Sequence, residues 1–355
     1  MSGFQIIRPH VLTDTMLVSS TVVEVAPALY VAGATYAAGT QVSIAAAAGL
    51  RHVYESLQAA NTGHAPASSP TWWRWICDVY QPYSASATYA KGDRVQDNLA
   101  HLIYEFVPDT GSAIPLTDTT KWLLVGATNR WAFADEKIGT VTASASPQRV
   151  VLKAGPVSGI GFLELQGRKL HVTGKTDTGG TVVYDKVVDL DGTIITSIYD
   201  WLFEEFQQLT DVVLTDLPAQ FYSLELAVEI TSTVGQVAMG VCKPGKLSYI
   251  GRTRAGATAG IISFSSKERD RFGNLSVLKG ETSKRGDFTV ITERTDFNRI
   301  YRLLSSLDGV LCFFIGTDDP GFEPFLIYGI FLDCSIAVEY FSHHLLSIQT
   351  EGLTQ

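Results

Sequence analysis

Several absences narrow what this chain can be. Cysteine is scarce: Cys77, Cys242, Cys312 and Cys334 lie far apart and form no CxxC pair. That spacing excludes a paired-cysteine zinc site and a dense disulfide framework, and leaves buried free thiols as the expectation. Long apolar runs are also missing. Phe325 to Leu332 is among the longest, far short of the roughly 18 residues a membrane-spanning helix needs. The start, Met1 to His10, lacks the charged head and apolar core of a signal peptide. A soluble chain made in a reducing cytoplasm and not sent through the secretory route is therefore expected. An overall positive charge is absent too: the net charge is −9, which disfavours wrapping of nucleic acid by the surface.

What is present describes an ordered protein of two to four compact units, with 355 residues, 46% hydrophobic and 18% charged. The charge is uneven. Residues 251–302 carry eleven Lys or Arg against six acids. Within this basic segment Arg252, Arg254, Lys267, Arg269 and Arg271 are the candidates for contact with an acidic patch on another subunit.

The first third contains a module written twice. Tyr36-Ala-Ala-Gly39-Thr-Gln-Val42 returns as Tyr89-Ala-Lys-Gly92-Asp-Arg-Val95, 53 positions on. After each come a Tyr-Glu pair (Tyr54, Tyr104), an Asn/Asp-Thr-Gly triplet (Asn61, Asp109), a proline (Pro66, Pro115) and tryptophan (Trp72, Trp73 and Trp75, then Trp122). A repeat of that length, with Gly and Pro at fixed places, indicates small tandem binding modules. Tyr36, Tyr54, Trp72, Trp73, Trp75, Tyr89, Tyr104 and Trp122 form the aromatic pool. Most are expected to build the modules' own cores, and an exposed remainder to stack on a glycan or a partner protein.

The boundaries read as an extended arm over 1–29, modules over 30–80 and 81–128, and a body over 129–355. The Ala-rich run from Ile44 to Gly49 has no counterpart in the second copy and reads as an insertion. Strands are expected at Val150–Lys153, Gly161–Leu165, Leu170–Thr173, Thr181–Tyr184 and Leu224–Ile230. Two amphipathic helices are expected, at Ile198–Leu209 and at Asp296–Leu307, the second capped by Asp296 and ended before Gly309. The fold class is α+β, mainly antiparallel β.

Other candidates are weaker. Gly240-Val-Cys-Lys-Pro-Gly-Lys246-Leu247 nearly spells a phosphate-binding loop but has Leu247 where the magnesium-binding hydroxyl belongs. His343 and His344 are neighbours on a strand and point to opposite faces, one exposed and one packed. Asp189, Asp191, Asp318 and Asp319 sit in turns, and Arg285-Gly286-Asp287 also reads as a turn. No pair of acids is singled out for sugar hydrolysis, and no cofactor or metal is called for.

The repeat pattern resembles the chitin-binding-like modules of carbohydrate-binding families 5 and 12. Thr128–Asp135, Lys246–Gly251, Ser265–Asn274, Ser283–Arg285 and the ending from Tyr328 to Leu353 are similar to tail, baseplate or tail-sheath proteins of bacteriophages. The resemblance implies a non-enzymatic virion protein made in the bacterial cytoplasm and placed in a tail ring or sleeve. Its partners would be itself, other tail proteins such as tube or fibres, and host-surface glycan. The alternatives are a carbohydrate-binding host-recognition adaptor and a polysaccharide-degrading enzyme.

Overall fold

The computed structural model describes residues 3–354 apart from Ile194, Thr196, Glu204, Phe206, Val234, Asp270, Asp318, Pro320 and Glu339; the side chains of Asp200 and Trp201 also lie outside the description. Strands occupy 50% of the chain and helix 9%, and nearly all pairing is antiparallel. The expected strands of the body are all present.

The centre of the body is a closed barrel of six strands. Val241–Thr253 pairs with Gly3–Pro9, which pairs with Cys312–Ile315, then Leu326–Ala337, His343–Thr354 and Thr282–Glu293. The ring closes where Arg252 and Thr253 meet Ile291 and Val290. Closure leaves those strands without an open edge. Inside lie Phe4, Ile6, Phe288, Val290, Phe314, Ile327, Leu346 and Ile348. The helix Phe297–Ser306 packs on the same core through Ile300, Leu304 and then Leu307. Asp296 does not cap it. Its carboxylate instead accepts hydrogen bonds from the Arg299 guanidinium (3.1 and 2.9 Å), which also donates to the Tyr249 carbonyl and ties the helix to the barrel.

A second core belongs to a five-stranded sheet ordered Val182–Asp189, Lys169–Lys175, Glu225–Thr231, Gln148–Leu152 and Leu17–Ser20. Leu152, Phe162, Leu170, Leu226 and Phe133 are fully buried there. Cys77, Cys242 and Cys312 are buried free thiols, and Cys334 is half-buried.

Three expectations need correction. The segment 1–29 is not a free arm. Gly3–Pro9 is a barrel strand with Phe4, Ile6 and Ile7 buried, Leu17–Ser20 pairs with Gln148–Leu152, and Val22 packs under the first module. Its apolar positions find partners within the chain, so one N-terminal segment stitches together barrel, sheet and module. The helix expected at Ile198–Leu209 shrinks to Ile198–Phe203. Ile198, Tyr199, Leu202 and Phe203 are all exposed, while Leu209 lies past the helix, half-buried against the sheet core. Those four share one face of the short helix, but that face stays exposed, and about a turn and a half cannot repay nucleation without packing. The Arg285–Asp287 triplet is not a turn but lies inside the strand Thr282–Glu293.

The two modules form one continuous unit. Their six strands make a single sheet, Trp122–Ala127, Leu102–Phe106, Arg94–Asp97, Trp73–Pro82, Leu50–Ser56 and Gln41–Ala45, joined across the repeat by a short parallel pairing of Gln81 and Pro82 with Val95 and Gln96. The repeat extends to individual hydrogen bonds. Tyr36 Oη accepts from the Val31 N–H (2.8 Å), as Tyr89 Oη does from the Ser84 N–H (2.8 Å). Trp73 Nε1 donates to the His64 carbonyl (2.8 Å), as Trp122 Nε1 does to that of Ile114 (3.1 Å). Gly39 and Gly92 both take left-handed φ, +80° and +87°, and donate to the Ser56 and Phe106 carbonyls. That turn is why glycine recurs there.

Candidate assembly surface

Each predicted site residue now has a place. Of the eight aromatics, Trp73, Tyr89 and Trp122 are buried in the module cores. Tyr36 stands half-buried with its ring edge-on to Trp73 (5.3 Å), matching Tyr89 against Trp122 (5.1 Å). Trp72 stacks on His64 at 4.0 Å. Tyr104 is half-buried opposite Leu124.

Tyr54 and Trp75 behave differently. They are cross-strand neighbours and line a cleft of about 570 Å³ with His52, Arg74, Asp78 and Gln236. Asp78 Oδ1 accepts hydrogen bonds from Trp75 Nε1 (2.8 Å) and pairs with His52 Nδ1 (2.7 Å), which fixes both rings. Burial and the nearby Asp78 carboxylate raise the Tyr54 phenol above its usual range. Asn129 holds the backbone at Asp78, donating to the Asp78 and Ala143 carbonyls at 2.9 and 3.0 Å. The second copy carries Leu124 opposite Tyr104 and Ala127 opposite Leu102, where the first has Trp75 and Asp78. The cleft therefore belongs to copy one alone.

Lys267, Arg269 and Arg271 gather on one projecting element, while Arg252 and Arg254 stand at its root, where the barrel closes. Thr258–Ser263 pairs with Thr282–Asp287, and the ribbon continues as Ser266–Arg269 paired with Leu275–Leu278. Gly280 keeps it continuous, because a Cβ there would lie 2.5 Å from the Phe264 carbonyl oxygen. Barrel pairing stops at Ser283 opposite Thr354. Residues 264–280 therefore extend beyond the barrel by about 25 Å at roughly 3.3 Å per residue. Lys267 and Arg269 face Val277 and Leu275 across the tip, so cations and apolar side chains alternate on one face. Ile261 (78%), Phe272 (90%) and Leu278 (74%) are solvent-exposed, as are Arg252, Arg254, Lys267, Arg269 and Arg271. A two-stranded ribbon is marginal on its own, and contiguous exposed apolar groups mark a surface that something covers.

Sequence reasoning missed a second surface. Between strands Val182–Asp189 and Val212–Leu214 the chain makes an excursion closed at its neck by the Asp191–Gln208 bridge and by Gly192 N–H to the Gln207 carbonyl (2.8 Å). Its tip exposes Ile195, Ile198 (80%), Tyr199 (70%), Leu202 and Phe203. Residues 190–209 contain four acids and no Lys or Arg. An acidic stretch carrying large apolar residues was the available signal.

The remaining candidates resolve simply. Gly240–Leu247 forms no loop: Val241 onward is barrel strand, and Gly245 abuts the Arg8 backbone where a Cβ would lie 2.3 Å from its carbonyl oxygen. His344 is buried edge-on to Phe297, and His343 stacks on Tyr340 at 4.5 Å. Asp189 ends a strand, Asp191 and Asp319 line one cleft, and Asp318 lies outside the described residues. No protein-family model, curated protein or solved structure matches this chain.

Proposed function

We propose that the chain is a non-enzymatic structural subunit that assembles with copies of itself into a ring or sleeve. The resemblance of its repeats and body makes a bacteriophage tail (sheath, collar or baseplate) the setting. The observation that carries this reading is the projecting ribbon, with Leu275 and Val277 held in water beside Lys267 and Arg269 on one face and Ile261, Phe272 and Leu278 exposed elsewhere on it. A closed barrel is a stiff base for such a ribbon, and a self-associating chain gains from stiffness because little ordering is needed on binding. The module pair would face outward toward glycan or other tail proteins.

Negative-stain microscopy and sedimentation velocity over a range of concentrations test it. Rings or stacks are expected from the wild-type chain. Replacing Phe264–Gly280 by a short glycine turn is expected to leave folded monomers. The double reversal Arg252→Glu with Arg254→Glu is expected to weaken association and remove most of its salt dependence, since exposed charge contacts are screened by salt. Unchanged assembly in both variants would remove this segment from the interface.

The cleft of copy one favours a second reading, a saccharide-binding adaptor. Rings fixed by Asp78 present flat faces to sugar C–H groups, while Arg74 and Gln236 offer in-plane hydrogen bonds. Single sites of this kind are weak, and a ring of them would add through avidity. On a glycan array, binding lost on Trp75→Ala but retained on Leu124→Ala would support it; no signal with a multivalent form would count against it.

A further inference from the structure

The ribbon and the acidic loop are complementary in kind. The ribbon and its root, residues 252–285, carry eight Lys or Arg against three acids. The loop carries only acids. Each displays large, exposed apolar side chains: Ile261, Phe272, Leu275 and Leu278 on the ribbon, and Ile198, Tyr199, Leu202 and Phe203 on the loop. Their roots are adjacent. Lys284 Nζ, at the ribbon's base, pairs with Asp211 three residues beyond the loop's neck. The two surfaces therefore leave the molecule from the same region.

From this we propose that the ribbon of one copy docks on the acidic Asp191–Gln208 loop of the next, a head-to-tail contact between two different patches. The proposal rests on the assembly reading above and names the partner surface it leaves open. The physical case has three parts. Apolar groups on both elements leave water together. Opposite charges fix the register and repel ribbon–ribbon and loop–loop encounters. Two different patches on one chain also make the contact heterologous, the kind that closes into a ring when the rotation between copies allows it.

Mixing two blocked chains tests this. In one the ribbon is disabled by Arg269→Glu, Phe272→Ser and Leu278→Ser. In the other the loop is disabled by Tyr199→Ser, Phe203→Ser and Glu205→Lys. All six positions are exposed, so both chains are expected to fold, which circular dichroism and thermal unfolding check. Should a triple variant misfold, the single changes Phe272→Ser and Tyr199→Ser replace it. Sedimentation velocity and native mass spectrometry are expected to find each variant monomeric alone and a 1:1 heterodimer on mixing, because one intact ribbon meets one intact loop and no further contact is available. Monomers in the mixture, with the wild-type chain assembling, would overturn the pairing and leave the assembly reading standing. Wild-type-like assembly of either variant by itself would do the same. A wild-type chain that stays monomeric at every concentration would overturn the assembly reading and the pairing with it.

Discussion

Phe313→Ala is expected to cost about 3–5 kcal/mol of folding stability, the usual range for truncating a fully buried aromatic. Phe313 has no exposed surface and lies 4.5 Å from Tyr328, ring centre to ring centre, in a cluster with Ile7, Leu163, Val241 and Ile315. Its ring fills space that a side chain at Gly161 would otherwise take: a Cβ on Gly161 would sit 2.5 Å from the ring. The converse change, Gly161→Ala, is therefore expected to destabilise by roughly 1–3 kcal/mol through overpacking, because a rigid ring between strands has nowhere to turn. Combined, the two changes are expected to cost less than their sum, since the new methyl enters the cavity left by the ring. Urea unfolding of the four chains measures this. Strict additivity would show that ring and glycine do not compete for the same space.

Trp122→Ala is expected to unfold the second module, again at about 3–5 kcal/mol. The change opens a cavity among Tyr89, Val95 and Phe106 and leaves the Ile114 carbonyl without its indole donor. Trp73→Ala is expected to act alike in the first module, where the indole donates to His64. Tyr89→Phe removes only the hydroxyl that bonds Ser84 N–H and C=O, and about 1 kcal/mol is expected. Hydrogen exchange resolved by residue distinguishes local from global loss. Protection is expected to fall across 83–127 in Trp122→Ala while the barrel strands keep theirs, because among the described residues the module sheet and the barrel sheet share no strand. Loss of barrel protection at the same time would show that modules and barrel unfold as one unit.

Local patterns reached some features from sequence. The repeat was legible because a module core needs the same ring, glycine turn and tryptophan twice, and those constraints act over a few residues. The strands of the body were legible for the same reason, as alternation with a period of two. The helix Phe297–Ser306 was readable from Ile300, Leu304 and Leu307, which one face buries.

Tertiary structure decided the rest. Sequence could not tell that Gly3–Pro9 is a barrel strand, because its partners lie some 240 and 310 positions away and any apolar strand fits many sheets. Nor could it tell core from surface among the repeated aromatics. Trp73 and Trp75 are two residues apart in regular register and so point to one face of their strand, yet one is buried against Tyr36 and the other lines a cleft held by Asp78, since what covers each position comes from distant parts of the chain. The apolar residues from Ile195 to Phe203 misled for a related reason. Hydrophobicity predicts that a side chain seeks cover, and only the folded chain shows that Ile198, Tyr199 and Phe203 on this loop and Ile261 and Leu278 on the ribbon stay exposed. Composition and local pattern thus determined the modules, the strands and the charge of each segment; long-range pairing decided which of those surfaces stayed open for a partner.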